Sequence, residues 1–323
     1  MRRELTLLLF IMITTVSEGK LLVLDPLRSK ALGTARTVRL YLPPSYDAEP
    51  RRRYPVLYLH DGQNVFSSAG PDCCFGWGNW ELDRTVDRLV EEGKMREIIM
   101  VAVDHGRSRY REYRGLHHSE TQGGRSSSTN ESDNAGFEAY ARFLVKELKP
   151  RIDREFRTLK TAANTGVMGS SLGGICSLSL AWEHPRTFGL AASLSGSFHI
   201  EKSHFLRQVL RPYHGKPKPA RIYIDSGVLD FTGDDDDRKD SDAVAAELRR
   251  IGWKEGRDLE RFTELHFVDE DELKQAGLRQ DKWAEARTSQ HNEFYWRLRA
   301  WRALTFLFPA EAAGSNRITR FKR

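Results

Sequence analysis

Continuous apolar runs alternate along the chain with segments whose apolar residues recur every three or four positions. Short apolar runs bounded by turn residues are typical of parallel strands buried on both faces. Such runs, with weaker patterns near both ends of the chain, predict strands at 20–24, 37–42, 55–59, 98–103, 165–168, 190–194, 221–225 and 265–268. Helical spacing of the apolar residues predicts helices over 81–92, 137–156, 171–182, 243–251 and 293–308.

The regular alternation of strands and helices indicates a doubly wound α/β fold. The expected architecture is a mostly parallel sheet with helices on both of its faces. A chain of 323 residues with 39% hydrophobic residues is long and apolar enough to bury a sizeable core. We therefore expect a single domain over residues 20–309, followed by a basic tail at 310–323.

The first 19 residues have the pattern of a secretory signal peptide. Arg2 and Arg3 precede a mostly apolar stretch at 5–16, and the small residues Ser17 and Gly19 follow it. The stretch is shorter than the roughly 20 residues that a membrane-spanning helix needs, and no later segment is long and apolar enough. We expect the mature chain to be secreted or periplasmic, without a stable membrane span.

The composition narrows the classes of function. Lys and Arg number 51 against 45 Asp and Glu, which gives a formal net charge of +6 spread over the chain. The sequence contains neither a zinc-binding Cys/His spacing nor a basic region that runs into heptads, which argues against a dedicated nucleic-acid binder. Three cysteines permit at most one disulfide, and two of them, Cys73 and Cys74, are adjacent.

Two polar segments interrupt the alternation of strands and helices. Residues 117–134 are rich in Ser, Gly and Asn, which predicts a surface loop. Residues 234–237 are four consecutive aspartates, which we interpret as a solvated loop because the spaced ligands of a calcium loop are missing. We therefore expect no metal site in this run.

The candidate chemistry lies at the turn after the predicted strand 165–168. Gly169, Ser171 and Gly173 match the pattern G-x-S-x-G, which places a serine on a strained turn between a strand and a helix. Glycines are needed on both sides because side chains there would collide with neighbouring elements. The turn presents the serine above the carboxyl ends of the strands, next to a helix N-terminus that stabilises an oxyanion. Ser171 is the predicted nucleophile.

A serine nucleophile needs a histidine as its base and an acid that orients the histidine. In an α/β-hydrolase the order along the chain is Ser, acid, His. His291 has the position that this order requires, because it lies just before the final predicted helix. For the acid we favour Asp230, in the loop after the strand 221–225, and Asp225 and Asp234 are the alternatives.

Backbone and aromatic groups complete the predicted site. The expected oxyanion hole consists of the backbone N–H groups of Leu172, which follows the nucleophile, and of Gln63, in the loop after the strand 55–59. Phe66, Trp77 and Trp80 are candidates for lining a substrate pocket. The alternative for these three is ordinary core packing, which is common for aromatic residues beside a sheet.

Further sequence blocks are spaced along nearly the whole mature chain. They are Y-L-H-D-G-Q-N-V-F at 58–66, W-E-L-D at 80–83, R-x-x-E-Y at 109–113, E-L-K-P-R-I-D at 147–153, M-G-S-S-L-G-G at 168–174 and H-N-E-F-Y-W at 291–296. With these blocks the chain resembles the Putative esterase family of α/β-hydrolases, which includes esterase D, enterochelin esterase and the feruloyl esterases. The resemblance implies Ser171 as nucleophile, His291 as base and, in a D-x-G-x-x-D-like loop, Asp230 as acid.

The resemblance also implies hydrolysis of a carboxylic ester through an acyl-enzyme, without a metal or organic cofactor. Siderophore lactones, feruloylated or acetylated polysaccharides and short acyl esters are all candidate substrates, because loops rather than the fold select the ester. Two alternatives are an acyltransferase of the same architecture, as in the mycolyltransferases, and a secreted binding protein without catalysis. The segment 117–134 and the aspartate run depart from the family pattern, so they leave the substrate open. The sequence also leaves the oligomeric state open.

Overall fold

The computed structural model describes residues 18–116 and 134–310. Residues 1–17 of the predicted signal peptide, residues 117–133 of the polar segment and residues 311–323 of the tail lie outside the described part. The strands are β1 (Lys20–Arg28), β2 (Ala35–Leu42), β3 (Val56–Leu59), β4 (Ile99–Val103), β5 (Thr165–Ser170), β6 (Leu190–Leu194), β7 (Arg221–Ser226) and β8 (Leu259–Thr263).

All eight strands form one sheet in the order β1-β2-β4-β3-β5-β6-β7-β8. The strands from β4 to β8 in this order pair in parallel, whereas β2 is antiparallel to both β1 and β4. Because each parallel pair needs a crossover, the helices are carried to the two faces of the sheet. The predicted α/β-hydrolase fold, a doubly wound and mostly parallel sheet in a single domain, is confirmed.

The helices vary widely in length. They are α1 (Ser45–Ala48), α2 (Cys73–Gly76), α3 (Leu82–Glu91), α4 (Arg109–Tyr113), α5 (Ala135–Arg142), α6 (Lys149–Glu155), α7 (Leu172–Glu183), α8 (Ile200–His204), α9 (Arg238–Ile251), α10 (Glu270–Gln275), α11 (Trp283–Ala286) and α12 (Glu293–Leu307). The short α2 and α8 contain left-handed residues and are better described as tight turns. No helix among the described residues is long and apolar enough to cross a membrane.

The central strands are continuously apolar because both of their faces are covered. In β3, Leu57 and Leu59 pack in the cluster formed with α3 and α12, whereas Val56 and Tyr58 pack in the cluster formed with α5, α6 and α7. Successive side chains of a strand point to opposite faces, so one apolar run serves two cores. A third cluster joins α7 and α9 to β7. Packing on both faces holds the sheet in place, and it therefore also positions the loops at the carboxyl edge of the sheet.

The last strand is Leu259–Thr263, and the prediction of a strand at 265–268 is wrong. The edge strand β8 has the mixed sequence L-E-R-F-T, and most of it is half-buried, so its pattern is not a continuous apolar run. The apolar run 265–268 leaves the sheet. There Leu265 is exposed, while Val268 is buried and donates its backbone N–H to Tyr295 Oη at 3.1 Å.

Candidate active site

Loops that follow neighbouring strands converge at the carboxyl edge of the sheet. Ser171 follows β5, Asp61 follows β3, and the residues just before α12 reach over the same edge. Between them lies a cleft of about 540 Å³ that is lined by Ser171, His291, Asp61 and several aromatic side chains. In open α/β sheets ligands bind outside the carboxyl ends of the strands, so this cleft is the candidate active site.

Ser171 occupies a strained turn between β5 and α7. Its φ of 53° and ψ of −123° are unusual for a residue with a side chain. The flanking glycines permit the turn: a Cβ on Gly169 would lie 2.8 Å from the backbone of Gly173, and one on Gly173 would lie 3.2 Å from His60 Cβ. The turn therefore depends on the two glycines, as the G-x-S-x-G pattern predicts.

Replacing Gly169 with alanine is expected to destabilise the protein by about 1–3 kcal/mol, because the added methyl group meets backbone atoms that cannot rotate away. The same displacement moves Ser171, so activity falls as well. Urea unfolding followed by circular dichroism measures the change in the free energy of unfolding. An unchanged unfolding midpoint would contradict the close packing of this turn.

The immediate neighbours of Ser171 hold its backbone and side chain. Its N–H donates to the carbonyl of Leu194 at 3.0 Å, and its carbonyl accepts from the N–H of Ser197 at 3.0 Å. The Oγ atoms of Ser171 and Ser197 are 3.2 Å apart. Leu172 is the first residue of α7, so its N–H has no acceptor within the helix and is available to an oxyanion.

His291 lies immediately before α12, whose N-cap is Asn292. Its Nδ1 is 2.5 Å from Asp236 Oδ1, and its ring packs edge-on against Trp296 and Phe231 with centroid distances of 5.2 and 6.0 Å. The Asp236 contact and the two aromatic rings fix the orientation of the imidazole. With Nδ1 bound to a carboxylate, Nε2 is the ring nitrogen left to exchange a proton in the cleft.

The carboxylate that contacts His291 belongs to Asp236, which corrects the assignment of Asp230. Asp230 Oδ1 instead accepts hydrogen bonds from the backbone N–H groups of Thr232 and Asp234, at 2.8 and 3.1 Å, and so closes its own loop. Neither alternative fills the place either: Asp234 is exposed, and Asp225 is buried within β7. Asp236 lies on the far arm of the loop, six residues beyond Asp230.

The aspartate run 234–237 is therefore not the solvated loop that its composition indicated. Asp235 Oδ1 accepts from the N–H of Arg238 at 2.6 Å at the start of α9, and Asp237 Oδ1 lies 2.7 Å from His199 Nδ1. Asp236 and Asp237 are both buried. Sequence reasoning cannot distinguish the members of a run of identical residues. Which aspartate is buried depends on how the loop folds.

The charge of Asp236 is stabilised by several groups. Burial alone would raise the pKa of its carboxyl group, but the hydrogen bond and charge of His291, with help from Arg299 and Ser195, hold it below its usual value. Asp236 Oδ2 also accepts from the Gly227 N–H at 2.5 Å. The carboxylate is thus ionised at neutral pH and positioned by contacts on both oxygens.

The structure separates the predicted pocket residues. Trp77 and Trp80 line the cleft, whereas Phe66 is fully buried in the core between the sheet and α3, so its assignment to the pocket is corrected. Gln63 lies in the 3₁₀ turn Gly62–Asn64 after β3, and its side chain accepts from the His105 N–H at 3.2 Å. Its backbone role in the oxyanion hole stays a prediction.

The mouth of the cleft carries two aromatic side chains that sequence reasoning missed. Phe75 is 94% exposed and follows Cys74, and both have left-handed backbone angles. Phe231 is 67% exposed and lines the cleft, with its ring next to that of His291. Neither phenylalanine belongs to an apolar pattern with the periodicity of a helix or a strand. The sequence therefore gave no reason to place them in the cleft.

In the described part of the chain, three carboxylate side chains line the cleft. Asp61 accepts a two-pronged ion pair from Arg109, with both N···O distances at 2.7 Å. Glu285 and Glu293 also line the cleft, and burial raises the pKa of Glu293. Among the residues described, no group of three or more His, Cys, Asp or Glu is arranged to hold a metal ion.

A sequence profile with the description "Putative esterase" matches residues 29–304. Among curated proteins, the chain is 27% identical over 214 residues to the uncharacterized protein YjcH of Bacillus subtilis (strain 168), covering 63% of this chain and 76% of that protein. It is also 26% identical over 175 residues to an endo-1,4-beta-xylanase/feruloyl esterase of Xylanibacter ruminicola, covering 53% of this chain and 21% of that protein.

Solved structures share the fold at low sequence identity. A ferulic acid esterase superposes with a TM-score of 0.62 and 17% identity, covering 90% of this chain and 98% of that one. The enterobactin esterase FES from Shigella flexneri, in the presence of enterobactin, superposes with a TM-score of 0.59 and 18% identity, covering 90% of this chain and 58% of that one. These similarities establish the shared architecture.

Proposed function

Because the chain belongs to the Putative esterase family and is a carboxylic ester hydrolase, we propose that it works through a triad of Ser171, His291 and Asp236. The observation that carries this proposal is the contact of His291 Nδ1 with buried Asp236, in the cleft where Ser171 occupies its strained turn. An ionised carboxylate on one ring nitrogen makes the other nitrogen a base.

The proposed reaction has two halves. Ser171 Oγ attacks the ester carbonyl carbon while His291 Nε2 takes its proton, and the proton then passes to the departing alkoxide as the C–O bond breaks. Water attacks the resulting acyl-enzyme, again losing a proton to His291, and the acid leaves as Ser171 regains its proton. Asp236 stays ionised and stabilises the imidazolium in both halves.

The oxyanion is proposed to be held by backbone N–H groups. Leu172 supplies one at the start of α7, where the helix dipole adds positive potential. The second is expected from the turn after β3, for which Gln63 is the candidate. Its neighbours Asp61 and Asn64 line the cleft, which supports a donor from this turn.

The cleft favours an uncharged ester with an aromatic or flat apolar group. The cleft that contains Ser171 is also lined by the aromatic side chains of Phe75, Trp77, Trp80, Phe231 and Trp296. Arginine and lysine are represented in the described lining by a single side chain, and that guanidinium is already engaged by a carboxylate. An ester that carries its own carboxylate would therefore face acidic groups without a free counter-charge.

Phe231→Ala is expected to raise KM for an aryl ester such as methyl ferulate by about fivefold, because an aromatic contact contributes about 1 kcal/mol. The KM for a short acetyl ester should change by less than twofold. Leu265→Ala is the matched control, because Leu265 is similarly exposed and does not line the cleft. Equal effects of Phe231→Ala on both esters would contradict the aromatic substrate class.

The proposed function is tested by incubating the purified protein with methyl ferulate, a short acetyl ester and an ester that carries a carboxylate. We expect acid release in the order aryl, acetyl, carboxylate-bearing, and an acyl adduct on Ser171 after rapid acid quenching. Release of acid without any Ser171 adduct, together with an unaffected Ser171→Ala variant, would refute the triad.

Export is proposed from the N-terminal pattern of residues 1–19. Support comes from the adjacent fold: β1 begins at Lys20, directly after the predicted cleavage point. Expression of the full chain in a bacterium, followed by fractionation and N-terminal sequencing, is expected to yield a mature protein that begins near Lys20 outside the cytoplasm. An intact N-terminus in the cytoplasmic fraction would contradict export.

A further inference from the structure

A buried arginine lies behind the proposed triad. Arg299, on α12, is 1% exposed and is among the largest fully buried side chains of the described chain. Its Nε is 2.9 Å from Asp225 Oδ1, and its Nη2 is 3.7 Å from Asp236 Oδ2. Two buried carboxylates thus share one guanidinium.

Ser195 links the same groups by hydrogen bonds. Its Oγ donates to Asp236 Oδ2 at 2.6 Å, and it accepts from Arg299 Nη2 and, at 3.2 Å, from Trp296 Nε1. Ser195 has a left-handed φ of 43° in the turn after β6, which is uncommon for serine. Its hydroxyl therefore connects the guanidinium to the oxygen of Asp236 that does not face His291.

We propose that Arg299 is a positioning residue, which with Ser195 keeps Asp236 ionised and aimed at His291. This inference rests on the proposed triad, and it adds a third layer: α12 carries Arg299 two turns after His291, so one helix orients both the base and the group that steadies its acid. Arg299 lies too deep to touch the substrate.

The charge of Asp225 offsets part of the electrostatic stabilisation that Arg299 gives to Asp236. Burial raises the pKa of Asp225 to about 6, although the charges of Arg299 and Arg261 oppose this rise. Near neutral pH, ionised Asp225 therefore competes with Asp236 for Arg299. Other charged or titratable groups that face the network stay unchanged in the test: Arg261 and Tyr223 beside Asp225, Tyr295 near Arg299, and Asp237 and Glu293 near His291.

The test removes the charges singly and together and records the pH dependence of kcat/KM for a neutral ester. Arg299→Gln removes the positive charge that lies between Asp225 and Asp236. The potential at His291 becomes more negative, which favours the protonated imidazole, so the acid limb should move up by about one pH unit. Asp225→Asn removes the carboxylate that offsets the guanidinium charge near Asp236, so the acid limb should move to lower pH. The double variant removes a neutral pair, and its limb should return close to that of the wild type.

Three controls separate positioning from mere stability. Arg302→Gln makes the same charge change on the same helix, and its limb should not move. Arg299→Lys keeps the charge and should keep the wild-type limb even if its melting temperature falls. KM should stay within twofold in every variant, because Arg299 does not touch the substrate. Any loss of activity at neutral pH should therefore appear in kcat.

Unmoved acid limbs in the folded Asp225→Asn and Arg299→Gln variants would overturn the inference, and so would an Arg299→Lys limb that moves as far as that of Arg299→Gln. If Arg299→Gln does not fold, the downward shift expected for Asp225→Asn still decides it. The triad itself would be refuted if the wild-type protein has no esterase activity or if the Ser171→Ala variant retains it. The two failures are therefore distinguishable.

Discussion

Ser171→Ala is expected to lower kcat for ester hydrolysis by about 10⁵- to 10⁶-fold, which is the size of effect seen when a serine nucleophile is removed from a triad. The reason is that Ser171 is the residue that the strained turn places at the N-terminus of α7. The substitution removes one oxygen at a half-buried position, so the melting temperature should stay within about 2 °C. Steady-state hydrolysis of a neutral aryl ester, with thermal unfolding in parallel, measures both quantities.

Ser197→Ala is the matched control for this substitution. Ser197 Oγ lies 3.2 Å from Ser171 Oγ and is itself nearly buried, but it follows β6 rather than the nucleophile turn. We expect kcat to fall by less than tenfold. If Ser171→Ala keeps more than one tenth of wild-type activity in a folded protein, the nucleophile is misassigned.

Asp236→Asn is expected to lower kcat by about 10⁴-fold, while Asp230→Asn stays within twofold of the wild type. An amide cannot stabilise the imidazolium, and its NH₂ group facing His291 Nδ1 would favour the tautomer with the proton on Nε2. Such a histidine cannot accept the proton of Ser171. The pH profile of kcat/KM for both variants, measured with the same aryl ester, provides the comparison.

Asp234→Asn is a second control from the same aspartate run. Asp234 is exposed, and its removal should leave activity unchanged. Because Asp236 also accepts from Gly227 and Ser195, the melting temperature of Asp236→Asn is measured alongside. Greater loss of activity in Asp230→Asn than in Asp236→Asn would return the acid to the position that the sequence favoured.

Most of the fold was predictable because the central strands are buried on both faces. Their continuous apolar runs located β3 to β7 to within a few residues. The edge strand β8 escaped this logic, since an edge strand is only half-covered and keeps charged residues such as Arg261. The early turns of α9 escaped it as well, because the helix begins with charged residues at 238–240.

The candidate site divides in the same way. The positions of Ser171 and His291 follow from chain order and from a turn that only glycines permit, and the structure brings both to one cleft. The identity of the acid depends on how the loop after β7 folds back, and position along the chain favoured Asp230, with Asp225 and Asp234 as alternatives, rather than Asp236. Phe66 was a candidate for the pocket because it is aromatic and follows β3. In the structure it is buried in the core with residues of α3.

The central claim, that Ser171 is activated by His291 and Asp236, is tested most directly with a fluorophosphonate probe. Attack of Ser171 Oγ on phosphorus expels fluoride and leaves a stable phosphonyl-serine, which intact mass and peptide mapping locate. We expect one adduct per wild-type chain, on Ser171, and at least 100-fold slower labelling in folded His291→Ala and Asp236→Asn variants. A folded wild-type protein that takes no label, or takes it at another residue, would contradict the account.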